Sequence, residues 1–377
     1  MQQFFDDTEM SEEGYLARRE RRRERRLEKK RRRERQLRLM KTVAGIIVIG
    51  IIILCVGSAI GSKPEVEPDE EKIQDQEIIQ ETETETESDI DEEKETGAIV
   101  YTQPIDFQEN SDTKNISSET IISNYAILID ADKDIIIGKK NAYDKMIPAS
   151  MTKVLTALVA AEAISRSDLE DTFTMTVDIT DYAYVNDCSS VGFLDGEVVT
   201  VKDLLYGTVL ASGGDAAVGL ATYVAGSHEA FVERMNEKVE QLGISDTAHF
   251  TNCVGIYDKN LYCTAYDMAV IMKAAMQNEL CREVLKARTY TTSFTTEHPE
   301  GITISNWFMR RIEDKDTGGE VMGAKTGYVA QSGSCAVSYQ ENSNGSTYIC
   351  VTADSTSSWR CIYDQVEIYN SISSDTN

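Results

Sequence analysis

Histidine is scarce in this chain of 377 residues. The three histidines, His228, His249 and His298, lie in no spacing typical of metal ligands, and each is expected at the surface. No C-x-x-C pair is present, and no cysteine lies near a histidine in a zinc-like spacing. The sequence therefore predicts no metal and no cofactor, and it does not support a Ser–His–Asp mechanism.

The eight cysteines do not define a disulfide framework. Cys55 lies in an apolar run and seven cysteines follow it, so at least one of those seven is unpaired within a monomer. No pairing can be assigned from the spacing. Scattered structural thiols are the simpler interpretation.

The formal charge of −26 combines segments of opposite sign. From Arg18 to Lys41 there are 15 Lys or Arg residues, whereas from Pro64 to Glu95 there are 16 Asp or Glu residues against two Lys. Glu residues within the basic stretch suit a charged helix with pairs four residues apart. We interpret this stretch as a membrane-proximal, topogenic helix and expect no nucleic-acid partner.

A long apolar run, TVAGIIVIGIIILCVGSAI, begins at Thr42 and carries no charge. About 20 apolar residues can cross a bilayer as a helix, so residues 42–61 are predicted to span the cell membrane. The Lys and Arg excess lies on the N-terminal side, which places residues 1–41 in the cytoplasm and the rest of the chain outside. Cleavage near Ala59-Ile60-Gly61 is the alternative.

The segment 62–118 is rich in Glu and poor in aromatic residues, and it contains the run ETETETES. Such a stretch buries too little apolar surface to offset the entropy of ordering it. It is therefore predicted to be an acidic, disordered linker that extends by self-repulsion. Residues 119–377 are predicted to form one folded domain.

Periodicity in residues 119–377 predicts an α+β fold. Strands at 125–130 and 135–138 form a hairpin, and strands at 335–339 and 347–353 flank a turn-forming stretch. Helices are predicted at 150–164, 201–210, 216–224, 265–276 and 358–369. Strands at both ends with helices between them indicate an antiparallel sheet flanked by helices, together with a mostly helical subdomain.

Ser150-Met151-Thr152-Lys153 follows Pro148 at a predicted helix start. Residues three apart lie on one helical face, so the Ser150 hydroxyl is expected beside the Lys153 amine. Lys can act as the base for Ser if its pKa is lowered by desolvation or by a neighbouring cation. This pattern is weak alone, because about one chance match is expected in a chain of this length.

Two further motifs carry compatible chemistry. Lys325-Thr326-Gly327 precedes a strand pattern, where Lys and Thr suit a carboxylate and Gly lets a substrate backbone approach an edge strand. Ser212, in Ser212-Gly213-Gly214, lies between two predicted helices and could relay a proton to a leaving amine. Each motif alone is also compatible with an ordinary turn or loop.

The order of these motifs resembles that of the penicillin-recognising serine enzymes. The flanking sequences are similar to the D-Ala-D-Ala carboxypeptidases, the low-molecular-weight penicillin-binding proteins, at 127–132, 148–153, 201–207, 264–269 and 323–328. The likeness extends from about Ile121 to Ile372 and implies a β-lactamase/transpeptidase-like fold.

The resemblance implies catalytic roles for three residues. Ser150 would attack the carbonyl of the penultimate D-Ala of a peptidoglycan stem peptide and form an acyl-enzyme. Lys153 would be its base, with a pKa lowered further by Lys325, and Ser212 would take part in proton relay. β-Lactams would acylate Ser150 because they mimic this substrate.

The implied substrate-binding residues are Lys325, Thr326, Gly327 and Tyr328. The first two would bind the terminal carboxylate of the peptide. The backbone N–H groups of Ser150 and Tyr328 would form the oxyanion hole.

The chain departs from the family pattern at Gly214, where the family usually has the Asn of Ser-x-Asn. That amide would orient the substrate carbonyl and bond the active-site Lys. A catalytically weak or silent peptidoglycan-binding module is therefore one alternative. A β-lactamase is another, although no suitable Glu-x-x-x-Asn segment lies between Ser212 and Lys325. The stretch Asn252–Gly255 gives no functional signal.

Overall fold

The structure, a computed structural model, describes residues 105–117 and 119–373. The strands in these ranges are β1 (Lys114–Asn115), β2 (Tyr125–Asp130), β3 (Ile135–Lys140), β4 (Thr172–Thr174), β5 (Val198–Thr200), β6 (Thr289–Thr291), β7 (Thr303–Ser305), β8 (Gly319–Val329), β9 (Gly333–Asn342) and β10 (Thr347–Ser355). The α-helices are α1 (Thr152–Ala163), α2 (Val177–Val185), α3 (Val201–Leu210), α4 (Gly214–Ala225), α5 (His228–Gln241), α6 (Ala265–Gln277), α7 (Glu279–Lys286), α8 (Met309–Ile312) and α9 (Ser358–Ser373).

The main sheet has six strands in the order β1-β3-β2-β10-β9-β8. Neighbours are antiparallel from β3 to β8, which confirms the predicted arrangement for these five strands. The prediction was wrong at the other edge, where β1 runs parallel to β3 and makes the sheet mixed. Two small antiparallel ladders, β4–β5 and β6–β7, lie apart from this sheet.

Side chains alternate between the two faces of the sheet, as the period of a strand requires. Along β10, Ile349 and Val351 belong to a large core shared with helices that include α6. Tyr348 and Cys350 belong to a smaller core beneath α8 and α9. Both faces of the central strands are therefore buried.

Residues 105–117 lie against the sheet, so the prediction of a disordered linker up to residue 118 was wrong for this segment. Phe107 is 3% exposed and packs edge-on against Tyr266, with ring centroids 5.6 Å apart. The backbone N–H of Ile116 donates to the carbonyl oxygen of Lys139 at 2.9 Å. Composition did not predict this order, because a few apolar residues are enough to hold a segment that packs against an already folded surface.

The rest of the predicted linker, the basic segment and the predicted span 42–61 lie outside the described residues. Among residues 105–117 and 119–373, no helix has the length and apolar character needed to cross a membrane.

Helix α1 lies at the centre of the helical part of the domain. Of its 12 residues, 11 are buried, and it packs against α3, α4, α5 and α6. A helix that is apolar on nearly every side is stable only in such a surrounding. The 3-10 turn Ala149–Met151, which leads into α1, contacts β8. This contact brings the start of the helix to the edge of the sheet.

Candidate active site

The Ser150 hydroxyl and the Lys153 amine are hydrogen-bonded, as their spacing predicts. Lys153 Nζ donates to Ser150 Oγ at 3.1 Å. The predicted helix start is a tighter turn than expected, because Ser150 lies in the 3-10 segment and α1 begins at Thr152. Ala149 has a left-handed φ of 47°, a conformation that costs energy and often occurs at functional sites.

Lys153 is almost fully buried, with 1% of its surface exposed. Burial disfavours the charged amine and lowers the pKa of Lys153 from its usual value of 10.5. Its Nζ also donates to the carbonyl oxygen of Val254 at 2.7 Å. A neutral amine held in this way can accept the proton of Ser150.

The loop 252–255 supports this site and was missed in the sequence. Asn252 Oδ1 accepts from the backbone N–H groups of Val254 at 3.2 Å, Gly255 at 2.7 Å and Ile256 at 3.1 Å. Gly255 has φ +81°, and a Cβ there would lie 1.8 Å from the carbonyl oxygen of Ala149. The loop therefore packs tightly against the turn that carries Ser150.

Ser212 and Lys325 form a second Ser–Lys contact, between the α3–α4 loop and β8. Lys325 Nζ donates to Ser212 Oγ at 2.9 Å and to the carbonyl oxygen of Thr326 at 2.8 Å. Ser212 has a left-handed φ of 54°. Residues far apart in the sequence are therefore brought into direct contact.

Lys325 is also buried, with 2% of its surface exposed. Burial, and then the positive charge of Lys153, lower the pKa of Lys325 well below 10.5. Repulsion between the two lysines was expected to lower the pKa of Lys153. Burial is the main cause of the lowered pKa at Lys153, and the effect of the second charge is seen at Lys325.

The strand that contains Lys325-Thr326-Gly327 lies at the edge of the main sheet, as predicted. A Cβ on Gly327 would lie 2.8 Å from the Ser150 nitrogen and 2.9 Å from the Pro148 carbonyl oxygen, so glycine allows this close approach. Thr326 is partly exposed and Tyr328 is 66% exposed. The outer edge of β8 can therefore receive an extended peptide beside Ser150.

Within the described ranges, no group of three or more His, Cys, Asp and Glu side chains could hold a metal ion. His249 is exposed, as expected. The prediction was wrong for His228 and His298, which are both partly buried. Nε2 of His228 accepts from the backbone N–H of Cys253 at 3.0 Å. His228 thus fixes the loop that carries Val254.

A family model described as D-alanyl-D-alanine carboxypeptidase matches residues 110–357. D-alanyl-D-alanine carboxypeptidase DacF of Bacillus subtilis is 29% identical over 237 residues, which cover 63% of this chain and 58% of the relative. DacC of Escherichia coli is 34% identical over 169 residues, which cover 44% and 42%. The chain thus spans about half the length of these two relatives.

The D-alanyl-D-alanine carboxypeptidase of Streptomyces sp. strain K15 is 33% identical over 230 residues, covering 58% of this chain and 76% of the relative. The crystal structure of the Streptomyces K15 DD-transpeptidase matches with a TM-score of 0.61 and 28% identity, covering 68% of this chain and 100% of that chain. Fold, motif order and family match agree: the chain belongs to the D-alanyl-D-alanine carboxypeptidase family of penicillin-recognising serine enzymes.

Proposed function

We propose that this protein is a serine-type D-Ala-D-Ala carboxypeptidase that removes the terminal D-Ala from peptidoglycan stem pentapeptides. The observation that supports this most directly is the pair of neighbouring Ser–Lys contacts, Ser150 with Lys153 and Ser212 with Lys325. Both amines are buried and have lowered pKa values. A lowered pKa favours the neutral amine, which can accept a proton from a serine hydroxyl.

Acylation begins when neutral Lys153 takes the proton of Ser150 as its oxygen attacks the penultimate D-Ala carbonyl carbon. The backbone N–H groups of Ser150 and Tyr328 stabilise the oxyanion, an interaction whose loss costs about 3–4 kcal/mol. The peptide C–N bond then breaks, and Ser212 relays a proton to the amine of the leaving D-Ala. Water finally hydrolyses the ester on Ser150 and releases the shortened peptide.

Substrate binding uses the edge of β8. Lys325 and Thr326 bind the terminal carboxylate, and the peptide pairs with the strand next to Gly327. A β-lactam presents a carboxylate and a reactive amide in a similar arrangement and acylates Ser150.

Mass spectrometry of a stem pentapeptide incubated with the full-length protein in detergent tests the proposal. We expect loss of one D-Ala with the wild type and none with Ser150→Ala. Ser343→Ala, at an exposed position in the β9–β10 turn, is the matched control and keeps full activity. Acylation by penicillin without any D-Ala release favours the weak or silent binding module, and sustained nitrocefin hydrolysis favours a β-lactamase.

We further propose that residues 42–61 anchor the protein in the cell membrane, with the catalytic domain outside. The uncharged run and the basic segment before it support this topology. The full chain is expected to stay in carbonate-washed membranes, and protease added to spheroplasts should remove its catalytic domain. A released protein whose N-terminus lies near Gly61 would instead indicate signal-peptide cleavage.

A further inference from the structure

Gly214 opens α4 at the position where the family motif usually carries Asn, and the space beside it is filled from another segment. A Cβ on Gly214 would lie 2.7 Å from Cys188 Cβ and 3.1 Å from Cys188 Sγ. Non-bonded carbon atoms make their best contacts at about 3.5–4.0 Å. A side chain at position 214 therefore conflicts with Cys188 as it stands.

The segment around Cys188 is held firmly against the start of α4. The Gly214 N–H donates to the carbonyl oxygen of Ser189 at 2.7 Å. The Asp215 carboxylate, which is 1% exposed, accepts from Ser190 Oγ at 2.6 Å and from the Val191 N–H at 2.9 Å. These bonds fix the position of Cys188 relative to the Ser212 loop.

Cys188 also lies within electrostatic range of Lys153. Burial raises the pKa of the Cys188 thiol, and the charge of Lys153 offsets part of this rise, so the thiol is neutral at neutral pH. Among the seven cysteines in the described residues, six are buried and Cys188 is partly exposed. Cys188 is therefore the cysteine of the described residues that a thiol reagent should reach most readily.

We propose that Cys188 takes the place in space of the side chain that Gly214 lacks, so that its thiol lines the active site and contacts the bound peptide. This inference rests on the proposed carboxypeptidase function. The Cys188 S–H donates weakly to the carbonyl oxygen of Asn186 at 3.9 Å, so we assign the thiol a packing contact with the peptide and no proton transfer. The active-site wall is then completed by a side chain from the α2–β5 connection.

Exchange of the two side chains tests the steric part of the inference. Gly214→Cys places two Cβ atoms in conflict, and we expect fluorescent penicillin to acylate this variant about tenfold more slowly than the wild type. Cys188→Gly/Gly214→Cys moves the thiol to the other segment and should recover most of that loss. A double variant no faster than Gly214→Cys would overturn the inference.

Gly219 provides the matched control on the same helix. A Cβ there would meet Leu204 at 3.0 Å and Met175 at 3.4 Å, with no contact to Cys188. Gly219→Ala combined with Cys188→Gly should therefore show additive effects on the acylation rate. If Gly219→Ala and Cys188→Gly were coupled as strongly as the changes at positions 214 and 188, the recovery would reflect a general loosening of α4 and not a specific contact.

Thiol alkylation tests contact with the ligand without any substitution at either position. N-ethylmaleimide should modify Cys188 of the full-length protein, and prior acylation by penicillin should slow this modification several-fold. Ser150→Ala treated with penicillin should show no protection. Acylation without protection overturns this inference alone, whereas failure of penicillin to acylate the wild type overturns the proposed function and this inference together.

Discussion

At the scale of single residues, the two buried lysines have different partners. Lys153 bonds Ser150 and a carbonyl of the distant loop 252–255. Lys325 bonds Ser212 and the carbonyl of its neighbour on β8. Both amines donate to neutral oxygens, so these bonds do little to offset the cost of burying a charge. This surrounding favours a neutral Lys153, as the proposed proton acceptor requires, and the terminal carboxylate of the proposed substrate would favour the charged form of Lys325.

Lys153→Arg is expected to lower the rate of acylation by about 10²–10⁴-fold, because Arg does not give up its proton. The wild-type rate should rise with pH through an apparent pKa below 10.5, and the variant should lose that rise. Stopped-flow acylation across a pH series measures both effects. Lys315→Arg, in a surface ion pair with Asp314, should behave as wild type. A Lys153→Arg rate near that of the wild type would exclude Lys153 as the base.

His228 predicts a pH dependence of stability. Burial lowers the pKa of His228 from 6.5, so the unfolded chain binds a proton at a higher pH than the folded protein does. The free energy of unfolding should therefore fall as pH drops below about 6.5, until the lowered pKa is reached. Urea unfolding above and below this pH should show a smaller fall in His228→Gln, which accepts the Cys253 bond without titrating. Equal slopes for both proteins would contradict this role.

At the scale of elements, periodicity located the parts of the domain that have strong patterns. The predicted strand 125–130 and helix 201–210 agree with β2 and α3 at both ends. Helix α3 begins with a capping box between Thr200 and Asp203, a local signal that needs no tertiary context. Helices α2, α5, α7 and α8 were not predicted.

The loop 252–255 shows why part of the site could not be predicted. Val254 contributes a backbone carbonyl, and any residue type has one, so its identity reveals nothing. Gly255 has no side chain, and this leaves room for the close approach of the segment at the start of α1. The need for that room is apparent only once the helix and the loop are packed together. Backbone contacts of this kind leave little trace in a single sequence.

Gly255→Ala should reduce acylation strongly, because its Cβ would collide with the Ala149 carbonyl next to Ser150. Gly345 is the matched control, since its φ of +83° is nearly the same and a Cβ at that position would have nothing within 4 Å. Gly345→Ala should cost only the left-handed strain, about 1–2 kcal/mol of stability, with acylation unchanged. Equal acylation by the two variants would show that the loop does not position Ser150.

At the scale of the whole molecule, the order of the motifs predicted the family and the candidate site residues. The contacts between those residues could be known only from the folded structure. Ser150, Ser212 and Lys325 come from the 3-10 turn before α1, an interhelical loop and an edge strand. The relation between Gly214 and Cys188 was also invisible, because it depends on two segments meeting in space. The motif showed that the usual Asn is replaced by Gly214, but it could not show which residue lies beside that position.

The corrected domain boundary predicts that Phe107 contributes to global stability. Phe107→Ala in the full-length protein should lower the free energy of unfolding by about 3–5 kcal/mol, the usual cost of emptying a buried aromatic site. Phe294→Ala is the matched control, because Phe294 is 78% exposed, and it should change stability by less than about 0.5 kcal/mol. Chemical denaturation measures both. Equal, small effects of the two substitutions on stability would indicate that residues 105–117 belong to the disordered linker.

The meeting of the Ala149–Met151 turn, the Ser212 loop and β8 has a practical consequence. The proposed acylation of Ser150 by penicillin uses groups from all three segments, so labelling would require the helical core and the sheet to be formed in the same molecule. A fluorescent penicillin can therefore serve as a conformational probe. The fraction of chains it labels along a denaturant series would count native molecules directly, even in a crude cell extract.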